Sequence, residues 1–259
     1  MARRFALSTA ILLVSATLVT AQSKTKFKAN VSQSKEFPNV TISPAAESAP
    51  KVFRSVLQME LIVRDGKDDA VVVYTNGTVV SEDGLIVSVI AGPGEVKSPT
   101  GGVEEAVILM LDGSSTAATL VAFDPGYGVA VFKADGLDVP HLKLSKSKAV
   151  ANRRLSWHAV YQQGKNTILY TRPLRVSKAA HEVSGTKDLC EVIDLGTSAL
   201  TAERSGSPLL ALDGSVVGIM GRQKHWNVTP KNILPRKKLA WAVPAEVLAK
   251  LLDKAAKSE

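Results

Sequence analysis

Cysteine is almost missing from this sequence, Cys190 being the single one in 259 residues. No disulfide can close within the chain, so the small, disulfide-stapled class is excluded and stability must come from an apolar core. Aromatic residues are scarce too, at 5%. That leaves Val, Leu, Ile and Ala to fill the core and offers no aromatic platform on which bases could stack. Beyond the first 21 residues there is no apolar run long enough for a membrane-spanning helix. Only four histidines occur, His141, His158, His181 and His225. No spacing among them, Cys190 and the acids suits a metal ion, so no metal and no cofactor are expected.

What is present begins with Arg3 and Arg4, an apolar run from Phe5 to Val19, and the small-residue end Val19, Thr20, Ala21. That order describes an export signal, residues 1–21, cleaved after Ala21, and implies a secreted or periplasmic protein. Residues 22–50 are rich in Ser, Lys, Asn, Pro and Ala without a period, and read as a flexible linker. The formal charge is +8, and removal of two arginines leaves the chain basic. Arg153, Arg154 and the group Arg236, Lys237, Lys238 are dispersed, which describes a solvated face. No nucleic acid is expected as a partner, while loose association with an anionic envelope surface stays open.

From residue 51 to 259 the texture is short runs of Val, Ile, Leu and Thr. Asp-Gly pairs at Asp65, Asp83, Asp112, Asp135 and Asp213 punctuate them. Asp-Gly tolerates the positive φ of tight hairpin turns, so about a dozen short antiparallel strands are expected. They run 57–63, 70–74, 78–80, 85–90, 106–111, 118–123, 129–133, 155–161, 167–176, 189–194, 208–212, 216–220 and 239–243, the two pieces 70–74 and 78–80 being separated by Thr75, Asn76 and Gly77. A short helix is expected near 45–56. At the end, Pro244 opens a run in which Val247, Leu248, Leu251, Leu252 and Ala255 share one helical face.

Four stretches carry a resemblance. Gly77 to Ser88, Ala122 to Lys133, Ser205-Gly-Ser-Pro-Leu209 with the hairpin Leu212 to Gly218, and Ala240 to Pro244 resemble, in order and spacing, the protease domain of the HtrA family. The resemblance covers residues 50 to 255. It implies an all-β, trypsin-like fold of two six-stranded antiparallel barrels with a C-terminal helix. No sequence remains for the PDZ domain usual in that family, so a degenerate member without one is expected.

Acyl transfer by serine needs a base, a carboxylate that orients it and paired N–H donors for the oxyanion. By the resemblance Ser205 stands at the nucleophile position, in the family's Gly-Asn-Ser-Gly-Gly-Pro-Leu segment. The family's histidine falls on Ala91 and its aspartate on Gly128, neither of which can take part in proton transfer. In the oxyanion region, Glu203, Arg204 and Ser205, a carboxylate replaces a glycine, and Ser207 replaces the glycine after the turn.

These losses imply a pseudoprotease, a peptide- or protein-binding or regulatory module rather than an enzyme. The alternative is a serine endopeptidase using Ser205 with an unconventional base, for which His158 is the nearest candidate. A third reading is a basic barrel that binds anionic polymer. The Asn-x-Ser/Thr triplets at Asn30, Asn39, Asn76 and Asn227 are assigned no function.

Overall fold

The computed structural model describes residues 40–42, 51–64, 70–92, 96, 98, 100–163, 166–183, 190–195, 205–221 and 240–257. The expected signal segment, the pair Asp65-Gly66, Glu203, Arg204, His225 and the basic group at 236–238 lie outside them.

Seven strands form the first sheet: β2 (Val56–Val63), β3 (Val71–Val79), β4 (Leu85–Val89), β5 (Val103–Leu109), β6 (Ser115–Ala117), β7 (Thr119–Asp124) and β8 (Val129–Lys133). Their order is β6-β5-β2-β3-β4-β8-β7. The two ends of that list meet, because β6 and β7 are separated by Ala118 alone, and the Ala118 N–H donates to Ala106 O on β5 at 2.9 Å. Residues 115–124 are thus one bent strand that pairs first with β5 and then with β8. Counted that way, the first barrel has six strands. Bending a strand at one residue is how a sheet abolishes its exposed edges.

The second sheet repeats the device. It comprises β9 (Arg154–Gln163), β10 (Asn166–Arg175), β11 (Lys178–Val183), β12 (Cys190–Asp194), β13 (Pro208–Leu210), β14 (Val216–Met220) and β15 (Trp241–Pro244). Val176 N–H donates to Arg153 O and Ser177 N–H to Asp194 O. The chain 166–183 therefore leaves β9 and joins β12 within two residues, again making six strands. An eighth strand, β1 (Val40–Ile42), lies antiparallel on the outer edge of β10. It comes from the stretch that composition marks as a linker.

Strand boundaries follow apolar runs, and four of the Asp-Gly turns hold glycine at positive φ: Gly84, Gly113, Gly136 and Gly214. The expected break between 74 and 78 does not occur. Thr75, Asn76 and Gly77 continue β3 as strand residues, and a Cβ on Gly77 would meet Ile86 Cγ2 and Met59 Sδ, each at 2.5 Å. Polar residues with a glycine resemble a turn in sequence. Here they form the strand segment that faces the second barrel.

Each barrel is filled by its own cluster, Leu57, Met59, Ile86 and Phe132 in the first, Trp157, Leu209, Val217 and Met220 in the second. A third cluster joins Val87, Val89, Val129 and Val131 of the first barrel to Val216, Ile219, Trp241 and Val243 of the second. Two helices complete the fold, α1 (Lys51–Arg54) and α2 (Ala245–Ala256). Pro244, at φ −65°, precedes the first turn of α2, where its missing N–H is no loss. Leu248, Leu251 and Ala255 bury the helix against the third cluster, at about 1.5–3 kcal/mol for each large side chain. No described helix is long and apolar enough to cross a membrane.

Candidate functional site

The turn 205–207 is held from both barrels. Within the second barrel, Gly206 N–H donates to Met220 O and Met220 N–H to Ser207 O, each at 2.8 Å. From the first barrel, Asn76 N–H donates to Ser205 O at 2.7 Å and Thr78 Oγ1 to Gly206 O at 3.0 Å. This closeness dictates the glycine. Gly206 has φ +78°, and a Cβ there would lie 1.8 Å from Asn76 O.

Ser205 is 2% exposed. Its Oγ lies 3.0 Å from Thr75 Oγ1, which is also 2.9 Å from Ser205 O, 3.2 Å from Val89 O and 3.1 Å from Ser88 Oγ. Ser88 Oγ is committed as a donor to Asn76 O at 2.7 Å. Across the Ser205–Thr75 contact either hydroxyl can be the donor. An alcohol oxygen accepts such a bond but is far too weak a base to take the proton.

Ala91 and Gly128, the positions to which the resemblance assigns the family's histidine and aspartate, are brought together. Gly128 O accepts from Ile90 N–H at 3.0 Å and from Ala91 N–H at 3.4 Å. Gly128 has φ +67°, and a Cβ there would come within 2.3 Å of Ala91 O and 2.7 Å of Ala91 C. A side chain cannot begin at position 128 without displacing the Ala91 backbone. The turn before it is set by Asp124, whose Oδ1 accepts the N–H of Gly126 and Tyr127.

His158 is not beside Ser205. It projects from the outer face of β9, where Nε2 lies 2.9 Å from Ser156 Oγ and Nδ1 lies 3.0 Å from Thr171 Oγ1. The Phe53 ring of α1 meets it edge-on at 5.5 Å. Burial pushes the imidazole pKa down. His141 lines a separate cavity, and His181 sits in β11. Ser207 is buried, its Oγ accepting the Trp157 indole N–H, which a glycine could not do. Asn76 is fully buried, so its Asn-x-Thr triplet cannot carry a glycan in the folded chain.

Thr75, Asn76, Thr78 and Ser88 escape reading from sequence, although they organise the turn. The one signal for them is a polar run inside an otherwise apolar strand. Among the described residues no group of His, Cys, Asp and Glu could hold a metal.

The trypsin-like peptidase domain profile matches residues 63–219. No curated protein matches the sequence. Among solved structures, the Rv3671c protease of M. tuberculosis H37Rv in its inactive form is 19% identical over 79% of this chain and 90% of its own, with TM-score 0.55. The HtrA-type protease AlgWS227A with decapeptide is 15% identical over 80% of this chain and 65% of its own, with TM-score 0.59. At such identities the likeness is one of fold, and it agrees with two barrels and a closing helix. The profile spans more than half of the sequence and includes the Ser205 turn: the chain belongs to the trypsin-like peptidase domain family.

Proposed function

We propose that this domain binds peptide or protein segments without cutting them, as an exported, proteolytically silent relative of the HtrA proteases. The observation that carries the reading is the Ala91–Gly128 contact. With a methyl group at one position, and at the other a backbone too close to Ala91 O to admit a side chain, neither imidazole nor carboxylate can be presented from there. In a serine protease of another fold, losing the base alone costs on the order of a millionfold in turnover.

Binding needs no triad. An extended segment adds to a sheet edge through its main chain, with pockets for alternate side chains. The edge of β10 already takes one such segment, the chain's own Val40–Ile42. AlgWS227A, whose fold this chain shares, is described with a decapeptide. The signal-like residues 1–21 support a secreted or periplasmic location.

The test is a casein assay on purified protein with the Ser205→Ala variant beside it. No cleavage above the variant is expected. Sustained proteolysis that the substitution abolishes would establish the alternative, a serine endopeptidase with an unconventional base.

A further inference from the structure

The histidine that sequence offers as a rescue base for Ser205 is built into a different serine site. On the outer face of β9, Ser156 and His158 are two residues apart and point the same way, while Thr171 is the β10 partner directly opposite His158. Ser156 Oγ is 2.9 Å from Nε2 and Thr171 Oγ1 is 3.0 Å from Nδ1. Thr171 Oγ1 also lies 3.3 Å from Trp157 O, to which it can donate. With its proton so placed, Nδ1 carries the hydrogen, Nε2 is the bare acceptor and Ser156 is the donor to it. The Phe53 ring shields the imidazole, and its burial keeps it neutral near pH 7.

A serine hydroxyl donating to a neutral imidazole, itself oriented from behind, is the arrangement that makes a serine nucleophilic. Unlike Ser205, Ser156 is partly exposed. Its ladder partner on β13 is Leu210, which lies on the same face and is a wall of a neighbouring cavity of about 450 Å³, whose lining does not include Ser156 itself. The other walls of that cavity include Lys51 and Val52 of α1, together with His141, Lys143 and Asp213. The Asp213 carboxylate, held in its charged form by Ser215 N–H and Oγ, offsets one of the two ammonium groups of Lys51 and Lys143, so the lining keeps a net positive charge.

We propose that Ser156 is an acylatable nucleophile, with His158 as its base and Thr171 as the positioning residue, and that its substrates are activated esters whose acyl part carries a negative charge. In the step, Ser156 Oγ bonds to the ester carbonyl carbon and its proton passes to His158 Nε2. The bond from that carbon to the leaving oxygen breaks, the alkoxide or phenoxide departs with the electron pair, and the imidazolium returns its proton to solvent. This site is separate from the turn at Ser205, and it stands or falls independently of peptide binding.

The full chain is treated with mono-4-nitrophenyl succinate and, in parallel, with 4-nitrophenyl acetate, then digested with trypsin. Peptide 155–165 contains a single serine, Ser156, and peptide 205–222 contains Ser205, so mass spectrometry separates the two. Acylation is expected on 155–165, faster for the succinyl ester, and slowed about 100-fold in His158→Gln. Histidine nitrogen shifts in the untreated protein are expected to report the Nδ1–H tautomer, and Thr171→Val to move the ring toward Nε2–H. Absence of label on 155–165, label undiminished in a folded His158→Gln variant, or an Nε2–H tautomer in the native protein would each overturn the proposal. Label confined to 205–222 would overturn it too, and would count against the silent-protease reading separately.

Discussion

The side-chain amide of Asn76 donates to Val160 O at 2.7 Å while its oxygen accepts Val160 N–H at 3.1 Å. One residue of the first barrel thereby completes the backbone bonding of a strand in the second. The reason lies in the ladder, where β13 pairs with β9 only at Trp157 and Ser156. Three residues beyond Trp157, at Val160, the amide of Asn76 takes the place of the missing strand. Asn76→Ala would leave a buried donor and acceptor unsatisfied, at about 2–4 kcal/mol. Urea unfolding followed by tryptophan fluorescence reads this as a lower midpoint with an unchanged slope.

Gly206→Ala is expected to be worse than an ordinary turn substitution. The left-handed conformation alone costs a β-carbon about 1–2 kcal/mol, and here the methyl would also meet Asn76 O. The barrels would have to separate locally or the turn refold. A strongly reduced yield of folded protein, or a midpoint below that of Asn76→Ala, checks it.

Restoring the family's residues is expected not to restore an enzyme. Ala91→His with Gly128→Asp returns two side chains, but at position 128 the new Cβ collides with Ala91 O and C at a φ of +67°. The double variant is expected to lose about 2 kcal/mol or more and to leave casein intact. Measurable cleavage in a stable double variant would show that the backbone there can open.

His158 gives the fold an acid sensitivity whose sign can be worked out. Its folded pKa lies below the ordinary 6.5 because burial disfavours the charged ring. Above pH 6.5 both folded and unfolded chains carry it neutral. As pH falls through that value the unfolded chain binds the proton first, so stability declines until the folded pKa is passed. Comparing urea midpoints at about pH 7.5 and about pH 5, the acid loss is expected to be smaller in His158→Gln than in the native chain.

Much of the fold could be read from residues because its signals are local. Val129–Lys133 and Val216–Met220 stand as apolar runs between turn formers and are found at those bounds. The leucine spacing after Pro244 gives α2. Strands β6 and β11 cannot be read from composition, since Ser115–Ala117 and Lys178–Val183 lack the apolar pattern and exist because a neighbouring strand bends onto a second partner. The reverse holds at Thr75-Asn76-Gly77, where turn-like composition serves a buried strand.

For the site, identity and order in the chain were enough to place Ser205 in a tight turn and to leave Ala91 and Gly128 without ionisable groups, since the absence of a side chain needs no coordinates. What only the tertiary structure decided is which groups meet. Thr75 and Asn76 are 130 and 129 residues from Ser205 along the chain, yet the two barrels press them against its turn. His158 is bound to Ser156 because alternate residues of a strand share a face, and to Thr171 because the β10 register sets that residue opposite. Hydrogen bonds of this kind depend on angles and on distances of about 3 Å, and only two packed sheets fix those between residues so far apart in sequence.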